Sequence, residues 1–297
     1  MSEYTVAVIG GDARYIELIR QLQYIPQINT VISGFNKLEQ GFIGAQHVDF
    51  SDLNLEEIDA IILPITGTKR QGQVETVFSD ETIILTEEWF KRLKKPTPVF
   101  TGITNDYLTS ITTNTYAQVI PLLDRDDVAI FNSIPTAEGT ILMAMKHTDY
   151  TIHSSRVIVA GFGRVGHTVA NKFAALGAHV SVAASRIKDL ARIIEMGLNA
   201  IPINQLYQYT NECDILINTV PARVINERVI QHLPPHALIF DLASKPGGTD
   251  FDFAKQRGIK AILSESLPGI VAPKTAGKIL ADVILQLLQE RGSTNES

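Results

Sequence analysis

The stretch SRVIVAGFGRVGHTVANKFAALGAHVSVAASR, residues 155–186, decides how this chain is read. An apolar run at 157–160 leads into three glycines, Gly161, Gly163 and Gly166. Val165, Val169, Phe173 and Leu176 then recur at helical spacing, Gly177 stands where a helix C-terminal glycine belongs, and residues 179–184 form a second apolar run. The pattern is strand, tight turn, helix, strand.

Each glycine has a task if the turn holds a pyrophosphate. Gly161 permits the sharp exit from the strand, Gly163 lets the backbone approach the phosphates, and Gly166 lets the helix pack close to the sheet. Phosphates would sit at the helix N-terminus, where free N–H groups and the dipole favour negative charge. A bare GxGxxG also occurs in ordinary turns, but here a strand precedes it and a helix and second strand follow. The reading is a dinucleotide site in which Gly161, Phe162, Gly163, Arg164, Val165 and Gly166 form the loop.

The end of the second strand indicates which dinucleotide. NAD enzymes usually place an acid there for the ribose hydroxyls, whereas this chain has Ala183, Ala184, Ser185 and Arg186, with no carboxylate before Asp189. A hydroxyl and a guanidinium suit a 2′-phosphate, so Ser185 and Arg186 point to NADP. The alternative makes Arg186 a solvated residue opening the next helix.

Composition bounds the rest. With 297 residues, 45% hydrophobic and 20% charged, the chain has room for two globular domains with sizeable cores. A net charge of −6 without a basic cluster argues against nucleic acid. The one cysteine, Cys213, allows no internal disulfide, and the opening MSEYTVAVIGGD is too short in apolar residues for a signal peptide or membrane span, so the expectation is a cytoplasmic protein. The seven histidines show no metal-ligand spacing, and no metal is expected.

Read in order, the chain opens with a strand at 4–9, the turn Gly10, Gly11, Asp12, and a helix carrying Tyr15, Ile16, Ile19 and Leu22. Arg14 stands where a further glycine would complete the motif, so this layer is not expected to bind a dinucleotide. Strands are expected at 31–33, 58–65, 98–101 and 128–131, several ending in small polar residues such as Thr68 and Ser133. A helix from Pro135 to about His147, with Thr136 as cap, would join the two halves. Strands at 200–203, 214–218, 237–240 and 260–263 then alternate with helices, and a last helix at 275–290 is stopped by Gly292. The fold expected is α/β, two Rossmann-like doubly wound domains with a cleft between them. Its parts are a substrate or partner domain at 1–134, a connecting helix at 135–150, an NADP-binding domain at 151–291 and a disordered tail at 292–297. Thr219, Val220 and Pro221 follow a strand of the nucleotide domain and either border the nicotinamide ribose or form an ordinary turn. The apolar last helix serves either a homodimer or the first domain.

A 2-hydroxy-acid dehydrogenase would carry an arginine and later a histidine where this chain has Lys245 and no histidine after His236, so that reaction is disfavoured. The motifs VIGGDAR (8–14), NSIPTAEGTI (132–141), VAGFGRVG (159–166), NTVPA (218–222), DLASKPGG (241–248) and LPGIVAPKTAG (267–277), in this order, resemble the A subunits of dipicolinate synthase from spore-forming bacteria. The resemblance spans nearly the full length. It implies a chain that works with a flavoprotein-like B subunit in the mother cell of sporulating bacteria, converting dihydrodipicolinate, from the lysine pathway, to dipicolinate with NADP.

A dicarboxylate substrate needs cations or helix N-termini. Arg14 and Lys245 are the cations nearest the expected strand ends, with Asp12, Thr68, Ser133, Thr136 and Ser244 as hydrogen-bonding partners. Glu138 and Lys245 are the candidate catalytic residues, although Glu138 is equally well explained as an acid in the first turn of its helix. Two other classes stay open: a stand-alone NADP dehydrogenase of another small acid, and a non-catalytic NADP-binding regulatory subunit.

Overall fold

The computed structural model describes residues 4–38 and 45–294. The chain divides into two compact units, Met1–Ala129 with Ala272–Ser297, and Ile130–Val271.

The first unit contains β1 (Tyr4–Ile9), α1 (Ala13–Gln23), β2 (Ile28–Ser33), β3 (Ala45–His47), β4 (Ala60–Ile62), α2 (Glu87–Phe90), β5 (Thr97–Thr101), α3 (Asp106–Thr112) and β6 (Ala117–Pro121). All strands are parallel, in the order β3-β2-β1-β4-β5-β6. Because side chains alternate along a strand, Val6 and Val8 face one core while Ala7 and Ile9 face the other.

Helix α4 (Asp126–His147) begins in the first unit and continues into the second. The second unit then alternates strand and helix: β7 (Arg156–Ala160), α5 (Arg164–Ala175), β8 (His179–Ala184), α6 (Ile187–Glu195), β9 (Asn199–Pro202), β10 (Ile215–Asn218), α7 (Glu227–Ile230), β11 (Leu238–Asp241), α8 (Phe251–Gln256), β12 (Lys260–Leu263) and α9 (Leu267–Val271). Its sheet is again parallel, in the order β12-β11-β10-β7-β8-β9. Helices cover both faces, which is why these strands read as continuous apolar runs. Val159, Val182, Ile217 and Phe240 are fully buried, each contributing roughly 1.5–3 kcal/mol by leaving water. In each sheet the order reverses beside the first strand, between β1 and β4 and between β7 and β10. These are the switch points at which open α/β sheets take ligands.

Several expectations need correction. Residues 128–131 are not a strand but lie in the first turns of α4, which starts at Asp126 rather than Pro135. Asp126 and Asp127 occupy the favourable positive end of that helix, and Asp127 Oδ1 accepts the Val128 N–H. Pro135 lies inside the helix, where it cannot supply the bond to the carbonyl four residues earlier. Glu138 is therefore mid-helix, and the first-turn explanation for it fails. Ser133 is likewise not at a strand end, and Thr136 is no cap, its hydroxyl donating to the Asn132 carbonyl within the helix. Strands β3 and β6 were not anticipated. By length and composition α4 is apolar enough to cross a membrane. Within the second unit its Ala137 and Ala144 join the core, and Gly139 lets it approach α9, where a Cβ would stand 3.0 Å from Leu267.

The last helix, α10 (Pro273–Thr294), runs past Gly292 and belongs to the first unit, not to the nucleotide domain. Its Leu280, Ile284 and Leu288 enter the same core as Leu18 and Leu22 of α1, so this face is used within the unit rather than kept for a homodimer. Gly277 makes the approach possible, since a Cβ there would meet the Arg14 carbonyl at 2.1 Å. Of the expected tail, residues 295–297 lie outside the described residues.

Candidate active site

The turn between β7 and α5 is built as its glycines require. Gly161 has φ +103°, and a Cβ on it would meet Thr219 Oγ1 at 2.3 Å. Gly166 is buried against the turn. Gly163 differs, because its φ of −83° suits any residue and a Cβ would meet nothing within 4 Å. The protein's own packing does not require a glycine there. Gly163 is also the N-cap of α5 and offers no side chain to the first-turn N–H groups. A cradle with room above its backbone and uncapped donors fits a phosphate group.

Around this cradle lies a groove of about 350 Å³, lined by Gly161, Phe162 and Gly163, by Ala183, Ser185, Arg186 and Asp189, and by Thr219, Val220 and Pro221. Three sequence-predicted segments thus come together. Parallel register explains why: Ala160 lies opposite both Ala183 and Asn218, so the loops that follow leave the sheet side by side. Thr219 joins two of them, its N–H and hydroxyl both donating to the Ala160 carbonyl. Arg164 and Val165 open α5, with Val165 packed against the core. Arg186 does not stand alone at the end of β8. Its Nε donates to Asp189 Oδ2 at 2.6 Å and its Nη2 to Oδ1 at 3.2 Å.

The ends of β10 and β11 carry two polar residues that the sequence did not flag, Asn218 and Asp241, both fully buried and opposite each other in register. Asn218 Nδ2 donates to Asp241 Oδ1 at 3.0 Å. The loop after Asp241 presents Ser244 and Lys245, both exposed, and Lys245 Nζ pairs with Glu265 Oε2 at 2.6 Å. Glu138 pairs at 3.7 Å with Lys172 of α5 and does not line the groove. The Ser133 hydroxyl donates to the Ile130 carbonyl and lies 2.7 Å from Thr168 Oγ1, which makes it a helix–helix contact.

In the first unit the corresponding turn is filled by the chain itself. A Cβ on Gly10 would meet the Glu75 carbonyl at 2.5 Å, and the Gly11 N–H donates to that same oxygen. Asp12 caps α1 and receives the Arg14 guanidinium, Nε lying 2.9 and 3.1 Å from its two oxygens. Arg14 is buried and its charge is met locally. Tyr15 ties this turn to the end of β4 by donating to the Leu63 carbonyl at 2.8 Å, and burial pushes its phenol well above the usual range, keeping it a neutral donor. Thr68 is buried, and its hydroxyl has no hydrogen-bond partner.

Residues 5–123 match the family described as the N-terminal domain of the dipicolinate synthase A subunit, and residues 136–244 match the D-isomer specific 2-hydroxyacid dehydrogenase NAD binding domain. The chain is 48% identical over 285 residues to the dipicolinate synthase A subunit of Bacillus subtilis strain 168, covering 96% of each chain. The chain belongs to the family of dipicolinate synthase A subunits. The crystal structure of the Bacillus halodurans member superposes with a TM-score of 0.94 at 49% identity, covering 97% of this chain and 98% of the other. The Bacillus subtilis crystal structure gives 0.93 at 47% identity, covering 99% and 98%. A transhydrogenase from Sinorhizobium meliloti, at 0.69 and 13% identity over 96% and 94% of the chains, shares the fold alone.

As a member of this family with a dehydrogenase nucleotide domain, the chain is an NAD(P)-dependent oxidoreductase. The dehydrogenase match ends at Ser244, one residue before Lys245. What this chain shares with 2-hydroxy-acid dehydrogenases is therefore the NAD binding domain. The residues missed by sequence reasoning, Asn218, Asp241 and Glu265, are single polar residues whose partners lie on other strands or turns. Their one available signal was position at the end of an apolar run.

Proposed function

We propose that this chain is the NADP-dependent A subunit of a dipicolinate synthase, oxidising dihydrodipicolinate to pyridine-2,6-dicarboxylate together with a flavoprotein-like B subunit in the mother-cell cytoplasm during sporulation. The observation that carries the reading is Gly163, a helix N-cap with open space above it, facing a groove whose far wall holds Ser185 and Arg186 where an acid would serve NAD.

When bound, the nicotinamide supplies the two-electron acceptor for the dihydropyridine, which loses a hydride and a proton on becoming aromatic. The chain's own residues must then hold two carboxylates and take the proton. Lys245 and Ser244 are exposed at the strand end to meet a carboxylate. Glu138, paired with Lys172, and the Lys245–Glu265 pair are the candidates to take the proton. The 2′-phosphate falls to Ser185 and Arg186.

A second reading has a specific basis: Asp189 lines the groove and already holds Arg186, so the pair also offers a carboxylate to the ribose hydroxyls of NAD. Complementation tests the proposal as a whole. In a spore-forming host lacking its A subunit, this chain should restore dipicolinate to the spores. Correctly folded chain at normal abundance, with spores still lacking dipicolinate, contradicts the assignment.

A further inference from the structure

We infer that Asp241 is a positioning residue that locks the cofactor-side loop after β10 and the Lys245 loop after β11 into one unit. The inference rests on the dinucleotide groove proposed above. Asp241 is fully buried, and its carboxylate accepts from four donors: Asn218 Nδ2 and Ala243 N at 3.0 Å on Oδ1, Gly248 N at 2.8 Å and Thr249 Oγ1 at 2.6 Å on Oδ2. An ionised carboxylate only accepts, and four bonds use its capacity.

The donors matter as much as their number. None is a lysine or arginine, so the carboxylate is balanced by the polypeptide around it. Three come from the ends of the loop 242–249, which closes around Asp241 with Ser244 and Lys245 at its free side. If the loop opened, the carboxylate would lose its partners inside the protein. Filling space alone would not call for a charge here, since an apolar side chain fills a buried site without a desolvation cost.

The fourth donor connects the other loop. Asn218 Oδ1 accepts the Val220 N–H while its Nδ2 donates to the Val220 carbonyl, both at 3.0 Å, fixing the peptide units at Val220, which lines the groove. The two loops also touch through Gly248, where a Cβ would meet the Ala222 carbonyl at 2.3 Å and the Val220 carbonyl at 2.6 Å. A shift of Val220 when the groove fills is thus carried through Asn218 and Gly248 to the loop that presents Lys245.

The test uses the full chain with Asp241→Asn, which turns an acceptor into a donor facing Gly248 N–H, and with Thr249→Val, a milder change that removes one donor should the first variant fail to fold. NADPH affinity is read by fluorescence titration, and kcat and KM by NADPH formation from dihydrodipicolinate with the B subunit present. Thr249→Val should lower kcat by about tenfold, the scale of one hydrogen bond to a charged group, and Thr249→Ser should restore it. The double variant Thr249→Val, Lys245→Ala should turn over no more slowly than Lys245→Ala alone, because both changes act through the same group. Folded variants with unchanged NADPH affinity and kcat, beside a wild type that binds and turns over, overturn the inference alone, as do effects that simply add. A wild type that binds neither dinucleotide overturns the groove reading and this inference with it.

Discussion

Gly166 packs so closely on Gly161 that a Cβ on the first would stand 2.2 Å from the carbonyl oxygen of the second. The contact holds α5 against the exit of β7, and it separates two glycines that look alike in sequence. Gly166→Ala should destabilise the fold by roughly 1–3 kcal/mol through overpacking. Gly163→Ala should lower the melting temperature only by the small cost of a poorer N-cap, less than Gly166→Ala, yet weaken NADPH binding by about tenfold, because its methyl enters the phosphate space. Thermal unfolding and dinucleotide titration of both variants check the contrast.

Replacing Arg186 tests which of the two dinucleotides the groove takes. If the guanidinium meets the 2′-phosphate, Arg186→Ala should raise the dissociation constant for NADPH about ten- to a hundredfold, the loss of charge-assisted bonds, and leave that for NADH unchanged. Asp189→Asn, which removes a negative charge from the groove and releases the guanidinium, should instead strengthen NADPH binding. Competition titrations of both dinucleotides measure this. A loss of NADH affinity in Asp189→Asn would favour the NAD reading.

Glu138 and Glu265 separate by pH profile. Replacing the true proton acceptor, by Glu138→Gln or Glu265→Gln, should lower kcat by about 10²–10⁴-fold and remove the acid limb of its pH dependence. Replacing the other should leave that limb in place.

Asp250 gives a prediction for acid stability. It caps α8 by accepting the Phe253 N–H at 3.1 Å and pairs with Arg223. The Phe253 N–H first, and then Arg223, hold its pKa below the usual 3.8. A depressed carboxylate stabilises the folded chain above its unfolded-state value, and the contribution disappears as pH falls through the folded-state value. Asp250→Asn keeps a good cap but loses the charge, so it should be less stable than wild type at neutral pH. The difference should vanish at a pH well below 3.8, as thermal melts at both pH values would show.

Much of this architecture is legible from the chain because backbone geometry dictates residue type. The glycines at 161 and 166 mark a turn that tolerates little else at those two positions, and the continuous apolar runs of β7, β10 and β11 mark strands buried on both faces. Residues 128–131 misled because a run of four apolar residues looks alike in a strand and a helix; only Val128 is buried, while Ile130 and Phe131 are exposed, and the deciding signal was the acid pair before them. Pro135 suggested a helix start, yet it sits inside one. Asn218 and Asp241 were illegible for another reason. Their partners are set by strand register and by a loop that folds back on itself, neither of which local spacing encodes. The pairing of Arg186 with Asp189, three residues on, is by contrast a matter of local spacing.

Transfer of electrons from a dihydropyridine dicarboxylate to NADP⁺ is measured by supplying the purified chain with freshly generated dihydrodipicolinate and NADP⁺, with and without the B subunit, and following NADPH absorbance and dipicolinate together. The two products should rise in equal amounts when both subunits are present, and Arg186→Ala should slow both. Dipicolinate formed without NADPH, or NADPH binding with no turnover under either condition, would contradict that transfer.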